Sequence, residues 1–269
     1  MYKRQVPDGA WFTILLAVLL ASFFGLWRYG KEKQWACEAS DRSELSEIII
    51  KNPGTGTQML AEKYGGGELS NVEGFGIFFD KAGSFVPMVY EQWLRKFRAQ
   101  LEVVVLMHMR ALSVPHVSDE ERFTVSRTGV KNVYRLTIRH GYNDHVITPD
   151  LSRMVYEEVR KAIISGVVRA IPSNSNTSSD DGIEKPVAET HTEYDAAVAA
   201  RLRQLDDAYA TQSLYLVGKE QLRIMPKNNI VKRMLLGLFL WVRENCRTRI
   251  AQLNVPVDRL VEVGFVGEI

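Results

Sequence analysis

The residues best suited to chemistry form a short titratable cluster that begins at position 139. It contains Arg139, His140, Tyr142, Asp144, His145 and Asp150. Histidine titrates near neutral pH and arginine binds anions, so this segment could sense a proton or hold a small anion. The candidate residues for that role are Arg139, His140, Asp144 and His145. Because Gly141 and Asn143 are typical turn residues, an ordinary turn between a strand and a helix is the competing interpretation.

Other chemically suggestive motifs favour a structural interpretation. His108 lies within an apolar run, where packing in a core is expected rather than ligand binding. The acidic residues 119–121 stand beside Arg122, a pattern that is typical of a solvated turn and not of a pair of acid/base carboxylates. The glycines 65–67 follow no predicted strand, which indicates a flexible connector and not a phosphate-binding loop.

Composition and motifs argue against several functional classes. The chain has no GxSxG, HExxH or Cys/His dyad, so we expect no catalytic residue and no enzyme activity. Cys37 and Cys246 lie far apart without metal-ligand spacing, so we expect no disulfide framework, no metal site and no cofactor. Lys and Arg number 34 against 32 Asp and Glu, and a net charge of +2 gives no reason to expect a nucleic-acid partner.

Residues 11–27 predict a transmembrane helix. This run, WFTILLAVLLASFFGLW, carries no charge, has a tryptophan at each end and is followed by basic residues at positions 28, 31 and 33. As a helix it spans about 25 Å, the short end for a bilayer crossing, yet it is longer than the apolar region of a signal peptide, the competing interpretation. The basic flank favours the C-terminal side as cytosolic, while the basic pair at positions 3 and 4 opposes that orientation.

The rest of the chain predicts an α/β domain with a mixed, mostly parallel sheet. An apolar strand at 74–80, a helix after Pro87 and a central strand at 102–110 indicate a parallel βαβ unit. Residues 122–127 and 133–139 alternate around Gly129 and predict an antiparallel hairpin. Periodicity and turn signals then predict helices at 148–169, 194–207 and 228–245 and strands at 213–218 and 260–266. We expect the broad apolar stripe of the 228–245 helix to face the core.

These predictions divide the chain into six segments. Residues 1–10 form a short extracytosolic segment, 11–27 the transmembrane helix, and 28–73 a polar, glycine-rich connector with a short helix near 42–51. Residues 74–170 and 194–269 form the α/β domain. Between them, 171–193 holds almost no large apolar residues and is expected to be a disordered insertion.

Five sequence blocks resemble the C-terminal part of the KUP/HAK/KT potassium transporters. The first, VPDGAWFTILLAVLLASFFGLWRYG at 6–30, is similar to the family's final membrane helix. The others are GFGIFFDKAGSFVP at 74–87, VVVLMHMRALSVPHVSDEERFTV at 103–125, YRLTIRHGYND at 134–144 and FLWVRENCRTRIAQLNVPVDRLVEVGFV at 239–266. They follow the family's order, and the SVPHVSDEERFTV wording looks most like the fungal branch.

The resemblance implies a multi-pass plasma-membrane protein that takes up potassium by proton symport. It places the ion pathway in helices upstream of this chain, so no ion-binding residue is expected here. The implied partners are the lipid bilayer, the potassium ion and a second copy through the cytosolic domain. A structural or regulatory role carries over only to the positions that match cytosolic motifs: Gly74, Gly76, Pro115, Glu121, Arg122, Tyr134, Arg135, Gly141, Tyr142, Asn254, Pro256, Glu262 and Gly264.

A second hypothesis comes from the sheet pattern alone. A free-standing, membrane-anchored α/β protein that binds a nucleotide or small anion would show the same order of strands and helices. The chain has no GxGxxG after its first predicted strand and no P-loop lysine pattern, so this hypothesis rests on fold pattern without a motif.

Overall fold

The computed structural model describes residues 10–40, 43–52, 54, 56–80, 85–144, 150–165, 187–226, 229–245 and 256–268. Besides two short 3-10 turns, its helices and strands in chain order are α1 Ala10–Ser40, α2 Leu45–Ile48, β1 Ile49–Lys51, β2 Gln58–Leu60, β3 Ser70–Asp80, α3 Met88–Phe97, β4 Ala99–Ala111, α4 Asp119–Arg122, β5 Phe123–Arg127, β6 Val133–His140, α5 Leu151–Ile164, α6 Val187–Thr211, β7 Ser213–Arg223, α7 Ile230–Asn245 and β8 Leu260–Glu268. The chain divides into two compact units, one of residues 1–41, 220–251 and 266–269 and one of 42–219 and 252–265.

The first unit contains the apolar helix α1. Within the described ranges, α1 is the one helix whose length and composition would allow it to cross a membrane. Its side chains from Trp11 to Gly25 are all exposed, as expected of a helix that faces lipid and not of a core helix. The helix continues past Trp27 to Ser40, so residues 28–40 of the predicted connector are helical.

The second unit is built on a six-stranded mixed sheet with the order β5-β6-β4-β3-β7-β8. Strand β3 pairs in parallel with both β4 and β7, and β4 pairs in parallel with β6. At the edge, β5 runs antiparallel to β6. These pairings confirm the predicted mixed, mostly parallel sheet, the βαβ unit β3-α3-β4 and the antiparallel hairpin.

Helices cover both faces of this sheet. On one face Phe78, Leu106 and their neighbours pack against Tyr90 and Leu94 of α3. On the other, alternate residues such as Ile77 and Val105 pack against α5 and α6. Strand β4 contributes fully buried side chains to both clusters, which explains why its sequence is apolar without alternation.

The structure differs from the predicted organisation in three segments. The region 42–51 holds the four-residue α2 followed by β1, which pairs with β2 in a small antiparallel sheet, instead of one short helix. Helix α6 begins at Val187, so 187–193 of the predicted insertion are helical. Residues 171–186 of that insertion lie outside the described residues, as do 148–149 and 166–169 of the predicted 148–169 helix.

The expectation that α7 turns its apolar stripe toward the core is wrong. Leu236 and Phe239 are buried, whereas Ile230, Met234 and Leu238 are exposed. Periodicity identified an amphipathic helix correctly, but it does not say what covers the apolar side. The apolar side of α7 is wider than the contact of α7 with α1, so most of its side chains stay exposed.

Candidate functional site

Two loops meet at the carboxyl edge of the sheet. Strands β4 and β6 are parallel neighbours in register, with Arg110 opposite Arg139 and Ala111 opposite His140. Because parallel strands end at the same edge, the loops 112–118 and 141–144 leave the sheet side by side. In α/β proteins this edge is where ligands bind.

Asp144 lies at the centre of the two loops. Its Oδ2 accepts hydrogen bonds from the backbone N–H of Gly141 at 2.8 Å and of Val117 at 3.1 Å. Its Oδ1 lies 2.8 Å from Nδ1 of His116. The hydrogen bond from Gly141, followed by the one from His116, lowers the pKa of Asp144 to about 2, because both favour the ionised carboxylate. The carboxylate is only 10% exposed, whereas the imidazole is 68% exposed.

Backbone contacts hold the same two loops together. The N–H of Tyr142 donates to the carbonyl of Val114 at 3.0 Å, and the N–H of Asn143 donates to that of Pro115 at 3.1 Å. A Cβ on Gly141 would collide with the Pro115 carbonyl, so a glycine is needed for this approach. The Tyr142 side chain is exposed to solvent. The predicted residues Pro115, Gly141, Tyr142 and Asp144 therefore belong to one crossing, which we call the loop crossing (residues 112–118 with 141–144).

The two basic candidates make contacts within the protein. Nη1 of Arg139 donates to the Glu121 carbonyl and to Thr124 Oγ1, both at 2.9 Å, which links β6 to α4 and β5. Nδ1 of His140 lies 3.1 Å from the carbonyl of Gly141. His145 lies outside the described residues. The structure thus brings Arg139, His140 and Asp144 to one edge of the sheet but directs their hydrogen bonds to the protein's own atoms.

Two further predicted residues lie within the sheet. Arg135 on β6 is buried, and its Nη2 donates to the carbonyl of Phe85 at 2.9 Å. Burial lowers the pKa of Arg135, and the nearby charge of Asp80 opposes that shift. Tyr134 is also buried; burial raises its pKa, against the effect of two arginines. Both side chains are therefore part of the buried core of the domain.

The remaining predicted positions make local structural contacts on other elements. Gly74 has a φ of +128°, a conformation that disfavours any residue with a Cβ, and Gly76 leaves room for the side chain of Leu101. The other positions make polar or ring contacts, and Asn254 lies outside the described residues. The contacts join Arg122 to the Phe123 ring and to Asp119, the Pro256 carbonyl to the Arg259 N–H, Glu262 to Lys219 Nζ, and the Gly264 carbonyl to Lys96 Nζ.

Sequence reasoning missed His116 as a site residue. It lies in the quoted block SVPHVSDEERFTV, but its partner Asp144 is 28 positions further along the chain. The pair becomes visible only when β4 and β6 are known to be parallel neighbours, since that pairing puts their following loops at one edge. A histidine soon after one strand and an aspartate soon after its parallel neighbour is the signal that could have found it.

The side-chain contact across the loop crossing is made by His116 and Asp144. It joins an imidazole to a carboxylate that already accepts two backbone N–H groups. Among the residues that the structure describes, no group of three or more His, Cys, Asp or Glu could hold a metal ion. The same crossing shows no glycine-rich turn opening a helix, so the nucleotide-binding hypothesis is not favoured.

Comparison with known proteins identifies the family. A family model described as "K+ potassium transporter C-terminal domain" matches residues 73–269. The chain is 23% identical over 265 residues to "Potassium transporter 1" of Arabidopsis thaliana, an alignment that covers 97% of this chain and 33% of that protein. It is 21% identical over 325 residues to "Probable potassium transporter 2" of Oryza sativa subsp. japonica, covering 98% of this chain and 40% of that protein. No solved structure matches significantly.

These matches show which part of its relatives the chain corresponds to. It spans about a third to two fifths of the length of the curated relatives it matches. The relatives are plant proteins, and the assignment to the fungal branch stays a prediction. The family match covers the whole sheet and its loop crossing and begins just before the apolar core of β3. The chain therefore belongs to the KUP/HAK/KT family of potassium transporters and carries that family's C-terminal domain.

Proposed function

We propose that this chain is the C-terminal portion of a potassium uptake transporter of the plasma membrane, in which α1 is the last membrane helix and the α/β domain is cytosolic. The observation that carries the proposal is the family match over 73–269, which follows an apolar helix long enough to cross a bilayer. Uptake is coupled to protons, and the α/β domain regulates transport and pairs two copies of the transporter.

The ion pathway in this proposal lies upstream of the chain. A single helix cannot enclose a polar path, because every lipid-facing position must be apolar and the pathway needs polar groups shielded from lipid. The exposed side chains of α1 from Trp11 to Gly25 carry no charge. The contribution of this chain is therefore an anchor and a cytosolic domain.

For the cytosolic domain we propose a sensing role at the loop crossing. The His116–Asp144 contact joins the loops that follow two central strands, so a positive charge on the imidazole would strengthen the contact with the carboxylate and hold both loops together. Arg139, His140 and Asp144, with His145 beyond the described ranges, remain the candidate proton- or anion-sensing residues. The family-motif positions, among them Gly74, Gly76 and Arg135, are proposed to keep the domain's structure.

Uptake of radioactive rubidium tests the transport proposal. The reading frame that contains this chain is expressed in a host without its own potassium uptake, and we expect uptake that potassium competes away. A transporter with Asp144→Asn should keep its membrane level but lose the dependence of uptake on cytosolic pH, while the remote control Gly129→Ala should behave as wild type. A host that gains no rubidium uptake although the protein reaches the membrane would contradict the proposal.

Coupling and pairing have separate tests. Potassium addition should acidify the cytosol of the expressing cells if protons enter with potassium, and an unchanged cytosolic pH during uptake would refute symport. Single-molecule mass measurement of the purified transporter should give a dimer, and a monomer at all concentrations would refute pairing.

A further inference from the structure

Helix α7 is fixed to α1 by one of its sides. Phe239 packs against Trp27 with 5.4 Å between ring centroids, and a Cβ on Gly30 would collide with the Phe239 ring. Phe23, Leu26 and Val242 line the rest of this contact. Helix α7 is therefore held at the part of α1 where the uncharged run ends.

Polar contacts hold the same side of α7. Nη2 of Arg243 donates to Oε2 of Glu220 at 3.3 Å. The same oxygen accepts a hydrogen bond from Nε2 of Gln34 on α1, also at 3.3 Å, and Gln34 is almost completely buried. Arg243 and Phe239 lie one turn apart on the helix, so the polar and apolar anchors lie on one side.

The other side of α7 is apolar, and no residue that the structure describes covers it. Ile230 is 87% exposed, Met234 79% and Trp241 62%. At 100° per residue these side chains and their neighbours fall within about 140° of the helix circumference, an unbroken apolar sector. The other members of the sector are Val231, Leu235 and Leu238. A contiguous apolar surface of this kind marks an interaction site with a partner or a membrane.

The place of α7 on α1 indicates which partner covers this sector. Trp27 closes the uncharged run of α1, and indoles at the ends of membrane helices lie at the headgroup level. A helix packed on Trp27 is therefore at the bilayer surface. The exposed cations of α7, Lys232 and Arg233, flank the apolar sector, and Arg28 and Lys31 follow Trp27, which suits anionic headgroups.

We propose that α7 is an interfacial helix that lies on the membrane, with Ile230, Met234, Leu238 and Trp241 inserted at the boundary between headgroups and acyl chains. This inference rests on the proposed crossing of the bilayer by α1. It adds a second, peripheral attachment between the C-terminal domain and the same lipid surface. Such helices bury their apolar side about 5–10 Å into the boundary region.

Depth-dependent fluorescence quenching tests the inference on the full chain in liposomes that contain anionic lipid. With Cys37 and Cys246 replaced by serine, a polarity-sensitive dye is attached to one new cysteine at a time. The test site is Met234→Cys, the matched control on the polar side of α7 is Lys232→Cys, and Leu19→Cys marks the middle of the uncharged run of α1. All three side chains are exposed, so the dye displaces no packed neighbour.

The expected pattern differs at each site. Dye at 234 should lose more fluorescence to a nitroxide on the upper acyl chain than to one near the chain end, dye at 19 should show the reverse, and dye at 232 should be quenched mainly by aqueous iodide. Equal quenching of 232 and 234 by iodide would overturn the inference. Protection of 234 from iodide without quenching by either lipid nitroxide would also overturn it, because a protein surface, such as a second copy, would then cover the sector.

The proposed function can fail separately from the inference. If dye at 19 is not quenched by either lipid nitroxide, the crossing of the bilayer by α1 is refuted, and the interfacial position of α7 is refuted with it. If dye at 19 reports a crossing but dye at 234 reports water, only the interfacial helix is refuted.

Discussion

Replacing Gly141 with alanine should open the loop crossing. The new Cβ would collide with the carbonyl of Pro115, a backbone atom that cannot move away by a change of rotamer. Either the loops stay in place under compression, which costs about 1–3 kcal/mol for an overpacked site, or they separate. Separation breaks the hydrogen bonds from Tyr142 N and Asn143 N, each worth about 0.5–1.5 kcal/mol, which again gives about 1–3 kcal/mol.

The assay is thermal unfolding combined with amide hydrogen exchange. For a domain of this size about 1 kcal/mol shifts the melting temperature by ~2–4 °C, so Gly141→Ala should lower it by roughly 2–12 °C. If the loops separate, the amides of Tyr142 and Asn143 should also exchange faster than in the wild type. The matched control is Gly129→Ala, because a Cβ at Gly129 meets nothing within 4 Å. We expect that control to stay within about 0.5 kcal/mol of the wild type.

Two results would refute this reasoning. If Gly141→Ala melts with the control and keeps slow exchange at Tyr142 and Asn143, then the two loops do not approach as closely as the structure shows. If the two variants lose the same stability, the loss does not come from contact with Pro115, because restriction of the unfolded chain would stabilise both variants.

Three further predictions concern different features. Because the folded pKa of Asp144 is depressed from 3.8 to about 2, the carboxylate stabilises the fold above its unfolded pKa, and this contribution is lost as pH falls through 2. The stability difference between wild type and Asp144→Asn should therefore shrink over that window, and a constant difference would contradict the hydrogen bonds from Gly141 and His116. Tyr215→Phe removes the buried hydroxyl that accepts a hydrogen bond from the Ser152 N–H at 2.9 Å in the first turn of α5. The free energy of unfolding should fall by about 1–3 kcal/mol, and the Ser152 amide should exchange faster. The control Tyr142→Phe, at an exposed side chain, should change neither quantity. Asn176 forms a glycosylation sequon that should stay unmodified in a eukaryotic host if the domain is cytosolic, and a mass shift removed by glycosidase would refute that side.

The main strands of the sheet could be predicted because their apolar patterns show which of their faces are buried. Strand β4 is apolar on both faces since helices cover both, and its near-continuous run indicates a central position in a parallel sheet. The hairpin of β5 and β6 could be located by its alternation around Gly129, and β5 is an edge strand of the sheet. Where local pattern and tertiary environment agree, the prediction is confirmed.

The features that sequence could not predict depend on distant partners. The pairing of His116 with Asp144 follows from the register of β4 and β6, which no local pattern encodes. Strands β1 and β2 are three residues each, too short to show a period in a glycine-rich segment. For α7, the period located the apolar sector, but a sector directed at a core and one directed at lipid have the same spacing.

The uninterrupted length of α1 has a mechanical consequence. A helix of 31 residues is about 46 Å long, whereas the hydrocarbon core of a bilayer is about 30 Å thick. If residues 11–27 lie in the membrane, residues 28–40 continue the same helix beyond it, and no proline interrupts this part of α1. A tilt or rotation of the first half of α1 would therefore be transmitted along the helix to Ser40.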